Sequence, residues 1–246
     1  MRPFQFTLRS LFVLTTVVAV ILSIGSVASR YYSDLSRRER ADGSFRECVW
    51  ALLNHSDVYG GLPAPARRDD SGESISSWRF RILPQLYQDC RQIMFDVPWD
   101  DPMNRKVAAW PAQPFCFASA DAPPEKRCMT NILAVSGPDT AFVPGKGRRL
   151  SDLDTDTILI VETNDSNIHW MEPGDLDVSK MPDDVDECSA IGISGTSPGG
   201  FFVGFADGEV WKLRNDTPLS TLRKFFTVSG SKSHNRDKLL AEYRLQ

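Results

Sequence analysis

Histidine is scarce in this sequence: His55, His169 and His234 are the only three in 246 residues. A Ser-His-Asp or Cys-His site needs an imidazole held beside its nucleophile, so there are few ways to build one. G-x-S-x-G, H-E-x-x-H and Walker-type loops are all missing. No C-x-x-C pair links Cys48, Cys90, Cys116, Cys128 and Cys188, whereas zinc sites normally use closer ligand spacing. Basic residues are outnumbered, with 28 Lys and Arg against 32 Asp and Glu, and the net charge is −4. A nucleic-acid binder would show a basic face instead. There is no internal repeat and no low-complexity tract. Together these absences argue against an enzyme, a zinc protein and a nucleic-acid partner.

Charge is also missing from one stretch, Ser10 to Ala28, which reads SLFVLTTVVAVILSIGSVA. As a helix it would be roughly 28 Å long, close to the hydrocarbon thickness of a bilayer. Its apolar residues cover all faces, unlike those of an amphipathic core helix. A transmembrane helix over 10–28 is therefore expected, with 1–9 as a cytoplasmic N-terminus. The alternative is a secretory signal cut near Val27-Ala28-Ser29. Charge alone leaves the orientation open: Arg2 and Arg9 precede the run, but Arg30, Arg37, Arg38 and Arg40 follow it.

Beyond the run, Leu35, Phe45, Val49, Leu52 and Leu53 recur at helical spacing until Gly60-Gly61. They predict a helical stalk over 29–60, with Gly43 as a point of kinking or breakage. From Gly61 prolines punctuate short segments, so 61–228 reads as an α+β head with an antiparallel sheet and long loops. One short helix is expected over Ser77–Tyr87 and another over Leu219–Phe226. Strands are expected at Ile132–Ser136, Thr157–Thr163, Phe201–Ala206 and Glu209–Leu213. Asp207-Gly208 gives a type I′ hairpin signal between the last two. Residues 229–246 read as a polar tail.

Several segments in this order resemble the bacterial, pseudopilin-like family called domain of unknown function 1559, abundant in planctomycetes. The resemblance is carried by Asn54–Gly60 with Leu62-Pro63, by Ser77-Trp78-Arg79 with Ile82-Leu83-Pro84, and by Phe95–Asp100 with Asn104. Thr130-Asn131 with Gly137-Pro138, Trp170-Glu172-Pro173, and Pro198-Gly199-Gly200 leading to Asp207-Gly208 complete it. The motif residues singled out are Trp99, Asn131, Trp170, Gly199, Gly200, Asp207 and Gly208. The resemblance implies a prepilin-type N-terminal helix extended into a pseudopilin-like head that lies outside the cytoplasmic membrane. Two departures stand out. Gln5 and Ser10 occupy the places of the prepilin Gly and Glu, so the helix is read as a retained anchor. Ser197 stands where the family's C-terminal motif has His.

Around Trp99, the oxygen-bearing residues Asp96, Asp100, Asp101 and Asn104 could hold calcium. The preferred alternative is a set of Asx turns and helix caps that fix a loop. Cys116 and Cys128 could bridge in an oxidising compartment, closing a loop of about a dozen residues; otherwise they are plain thiols. His169 is read as structural and His55 as a partner for the C-terminal end of the stalk. Trp78, Trp99, Trp110, Trp170 and Trp211 are read as core, with a sugar-binding surface as the alternative.

The expectation is thus a single-pass, non-enzymatic protein of the cell envelope with a structural or interaction role. Its partners would be the membrane, further copies of itself or other envelope proteins; no catalytic or cofactor-binding residues are expected. The alternative is an extracytoplasmic module that binds a glycan or peptide through Trp99, Trp170 and nearby acids.

Overall fold

The computed structural model describes residues 8–87, 90, 92–117 and 122–245, with side chains from Thr15 onward. Residues 1–7, which include the Gln5 departure and most of the expected cytoplasmic segment, lie outside that range. One helix, α1 (Leu8–Tyr59), runs without a break through Gly43. It is long and apolar enough near the N-terminus to cross a membrane. Over that part the apolar side chains are exposed: Val18 is 46% exposed and Val27 67%.

Farther along, α1 changes character. Ala41, Phe45, Cys48, Val49 and Leu52 form a buried stripe at helical spacing, while Leu35 stays outside it. The stripe lies on a mixed sheet. In chain order the strands are β1 (Ala66–Arg68), β2 (Ser74–Ser77), β3 (Ile132–Ser136), β4 (Ile158–Glu162), β5 (Leu176–Asp177), β6 (Gly200–Phe205), β7 (Val210–Arg214) and β8 (Arg244–Leu245). Among the described residues β1 and β2 pair alone, and the other six form one sheet in the order β5-β3-β4-β6-β7-β8.

Period-2 alternation divides the core as the sequence predicts. Phe201, Val203 and Phe205 of β6 face one hydrophobic cluster, and Phe202 faces the other, under α1. Gly204 is where the helix comes closest. A Cβ there would lie 2.4 Å from Val49 Cγ2 and 2.9 Å from Ile160 Cγ1. Only a bare Cα lets α1 seat against β6.

Four expectations need correction. The sheet is not wholly antiparallel: β5 runs parallel to β3, because Asp175 Oδ1 accepts the Ala134 amide and seats the incoming chain alongside β3. The helix expected over Ser77–Tyr87 is two short ones, Trp78–Arg81 and Leu83–Leu86. Pro84 enters near the start of the second, where its missing N–H is tolerated, but it could not continue the first. The Asp207-Gly208 hairpin forms, though not as type I′, which would need positive φ at both central residues. Gly208 donates to Phe205 O, and Gly208 alone of the pair has positive φ (+95°). This is a tight turn closed by a glycine bulge.

The stretch 229–246 carries more structure than a polar tail suggests. It contributes the helices Val228–Ser233 and Arg236–Leu239 and then β8, which pairs with β7 along the sheet edge. Its charge hid this, because the charged group that matters points inward. Arg236 pairs with Asp156 and Asp207 and lies over the rings of Phe205 and Trp211.

The close approach at Gly204 sets a test. Gly204→Ala should cost about 1–3 kcal/mol through overpacking against Val49 and Ile160, read as a lower urea midpoint. A midpoint equal to wild type would mean that helix and sheet are not in contact there.

Candidate functional site

Part of the motif set, including Trp78, Arg79, Asn131 and Trp170, lies in the interior of the head. Arg79, in the short helix that follows β2, is fully buried, and its side chain pairs with Asp175, whose side chain is 4% exposed. All five guanidinium N–H groups have an oxygen available. Nε donates to Trp170 O, Nη1 to Ile132 O and Asp175 Oδ1, and Nη2 to Glu172 O and Gly174 O, at 2.8–3.2 Å. Asp175 Oδ1 also accepts Trp78 Nε1 and the Ala134 amide. One ion pair thus ties the segment after β2 to β3 and to the chain entering β5.

Trp170 is 1% exposed, stacks on Phe115 and donates its indole N–H to Trp110 O. Trp99 is half-buried and stacks on His169, ring centroids 4.8 Å apart. An exposed binding face made by Trp99 and Trp170 is therefore absent: Trp170 is a wedge in the core, as are Trp78 and Trp211. Trp110 is different, with 72% of its surface exposed beside a cleft of about 710 Å³ whose floor includes Leu83, Val107 and Trp170.

The remaining candidates brace loops. Asn131 accepts from the Phe117 amide and donates to Thr163 O. Asn104 is buried, accepting from Met94 N and donating to Met94 O and Pro98 O. Asp101 caps the Met103 amide and Asp96 pairs with Arg67, while Asp100 is exposed. Of these, Asp101 takes a cap role. Among the described residues no three His, Cys, Asp or Glu side chains gather as a metal-holding group. Gly199 has φ of +89°, and a Cβ on Gly200 would lie 2.0 Å from Leu213 O, so this pair serves the backbone. Cys116 and Cys128 are free thiols with no bridge between them. Burial first, and then the neighbouring Cys128, raises the Cys116 pKa.

Sequence reasoning missed a second buried polar cluster. Glu162, in the middle of the sheet, accepts from Thr196 N and Oγ1 through one oxygen and from Phe202 N through the other. Burial pushes its carboxyl up, while the Thr196 and Phe202 hydrogen bonds pull it back. Nearby, Lys212 Nζ donates to Ser197 Oγ at 2.8 Å and to Pro198 O. The position that departs from the family's His thus holds a lysine partner. A Glu in a strand of Val and Ile was the available signal.

All three imidazoles reach backbone carbonyls. His169 Nε2 meets Ala108 O while Nδ1 accepts from Met171 N; His55 Nδ1 meets Gly61 O, and His234 Nδ1 meets Gly230 O. Burial lowers the pKa of both His55 and His169, with the carbonyl contacts acting the other way.

These features define a class of protein: an α+β head assembled on the C-terminal part of one long N-terminal helix, with buried motif residues such as Arg79, Asn131 and Trp170 tying its segments together. Residues 37–174, more than half of the chain, match the family described as "Protein of unknown function (DUF1559)", and the chain belongs to that family. Searches of curated proteins and of solved structures found no match.

Two measurements follow. Arg79→Met leaves the Asp175 carboxylate buried without its cation and should cost about 3–5 kcal/mol in urea unfolding. Adding Asp175→Leu should recover part of that loss. Full stability in Arg79→Met would sink the idea that the pair organises the head. The second concerns pH. The imidazoles of His55 and His169 have folded pKa values below their ordinary 6.5, so just below that pH the unfolded chain binds more protons than the fold. Stability should then fall as pH drops from about 7 to about 5.5, and the fall should shrink in His169→Gln. A midpoint unchanged over that range would contradict burial of the two rings.

Proposed function

We propose that this is a single-pass protein of the bacterial cytoplasmic membrane, anchored by residues 10–28, with its N-terminus inside and its head outside. The head acts as a pseudopilin-like structural or interaction component and not as an enzyme. The observation that carries the anchoring is the exposed apolar part of α1, from Val17 to Val27, which the chain's own head does not cover. In water such a surface would be strongly unfavourable at about 25 cal/mol per Å², whereas hydrocarbon removes the cost. Ser23 and Ser26 suit that setting, since their hydroxyls bond back to Ala19 O and Ser23 O within the helix.

The non-enzymatic part rests on the imidazoles. A hydrolase would need His55 or His169 within reach of a nucleophile or carboxylate, and both rings are engaged by backbone carbonyls. The continuity of α1 from the apolar run into the head supports the pseudopilin-like reading, because the head then sits directly on its anchor.

Membrane fractionation, protease treatment of intact spheroplasts and N-terminal sequencing test this together. The expected result is a protein that resists alkaline extraction, keeps its N-terminus and loses its head to external protease. A soluble product cut near Ala28 would overturn the anchor. Cleavage after Gln5 with a methylated Phe6 would replace the retained anchor with an assembling pseudopilin.

A further inference from the structure

At the end of α1 farthest from its apolar run, the chain encloses a second cleft, of about 510 Å³. It lies roughly 40 Å beyond Ala28, at 1.5 Å of helix rise per residue. One wall is the helix end and the turn after it, including His55, Tyr59 and Leu62. The facing wall comes from β1, the helix after β2 and the 145–147 turn. The walls are held closely together: Leu62 N donates to Arg148 O, and a Cβ on Gly147 would fall 1.4 Å from Leu62 O. The two walls are therefore held to each other through backbone contacts.

Its lining runs against the composition of the chain. Arg67, Arg68 and Arg81 all contribute, and no Asp or Glu does, in a protein of net charge −4. Two of the three have local partners. Arg67 donates to Phe95 O and pairs with Asp96, a carboxylate that is itself 89% exposed, and Arg68 donates to Gly72 O. Arg81 is half-buried and makes no hydrogen bond or ion pair among the described residues. Gly61 O, in the turn after α1, is already engaged by the His55 ring. The charge of Arg81 is felt instead by His55, whose pKa it lowers further after burial. The guanidinium of Arg81 is left open to the cleft, and with two more arginines beside it, it is a fork for an oxyanion.

We propose that this cleft binds a small anionic ligand whose phosphate or carboxylate group is gripped by Arg81 together with Arg67 and Arg68. The proposal rests on the cleft's geometry and charge and stands apart from the membrane assignment, which fractionation tests separately.

Pyrophosphate and citrate are suitable probes, titrated by calorimetry into the full-length chain in a neutral detergent at low ionic strength. The expected result is saturable binding of at least one of them, weakened by added NaCl, with the tighter of the two identifying phosphate or carboxylate as the preferred group. Arg81→Gln should weaken it about tenfold or more, and Arg81→Lys, which keeps the charge but loses the fork, should fall between. Arg214→Gln, a change outside the cleft, should leave the affinity unchanged. No saturable binding of either anion, or equal affinity in wild type and Arg81→Gln, would overturn the proposal. If Arg81→Gln fails to fold, Arg67→Gln provides the same comparison.

Discussion

The head depends on one buried ion pair. Arg79 brings a full positive charge into the interior, and that is tolerable because each of its N–H groups meets an oxygen and its counter-ion is a carboxylate that gathers two further donors. The oxygens come from chain segments far apart in sequence: Ile132 in β3, and Trp170, Glu172 and Gly174 before β5. Segments with little regular structure of their own are in this way drawn to one point. The parallel edge of the sheet is a consequence, because the carboxylate that neutralises Arg79 also holds the backbone of β3.

A second constraint is the meeting of α1 with the sheet. The helix has a buried stripe only over its C-terminal part, and Gly204 lets that part sit tightly on β6. Rigid seating of the C-terminal part leaves the N-terminal part projecting without cover. The exposure of the apolar run therefore follows from the packing of the head and is not a loose end. On the opposite face of the sheet the C-terminal segment closes the second core, clamped by Arg236 on Asp207 and Asp156.

Several motif residues turn out to hold the fold together. Trp170, Asn131, Asn104 and the Gly199-Gly200 pair each satisfy a buried polar group or a backbone requirement. The surfaces open to a ligand lie elsewhere, beside the exposed Trp110 and in the arginine-lined cleft beyond the end of α1.

Periodicity and composition made part of this legible. The uncharged run from Ser10 to Ala28, the helical spacing of Phe45, Val49 and Leu52, and the alternation along Phe201–Phe205 are local patterns, and local patterns report which face of an element must be buried. The order of short motifs likewise identified the family. What a residue meets across the fold is a long-range property that spacing does not encode. From the sequence alone Arg79 and Asp175 were two ordinary charges, Trp170 was read as core with a binding face still open as the alternative, and 229–246 looked polar because Arg236 counts as charge wherever it points. Only tertiary structure decided that these charges face inward, since burying a charge depends on partners that the chain supplies from elsewhere. The same holds for Arg67, Arg68 and Arg81, which become one cleft only when β1 and the helix after β2 come to rest beside the end of α1.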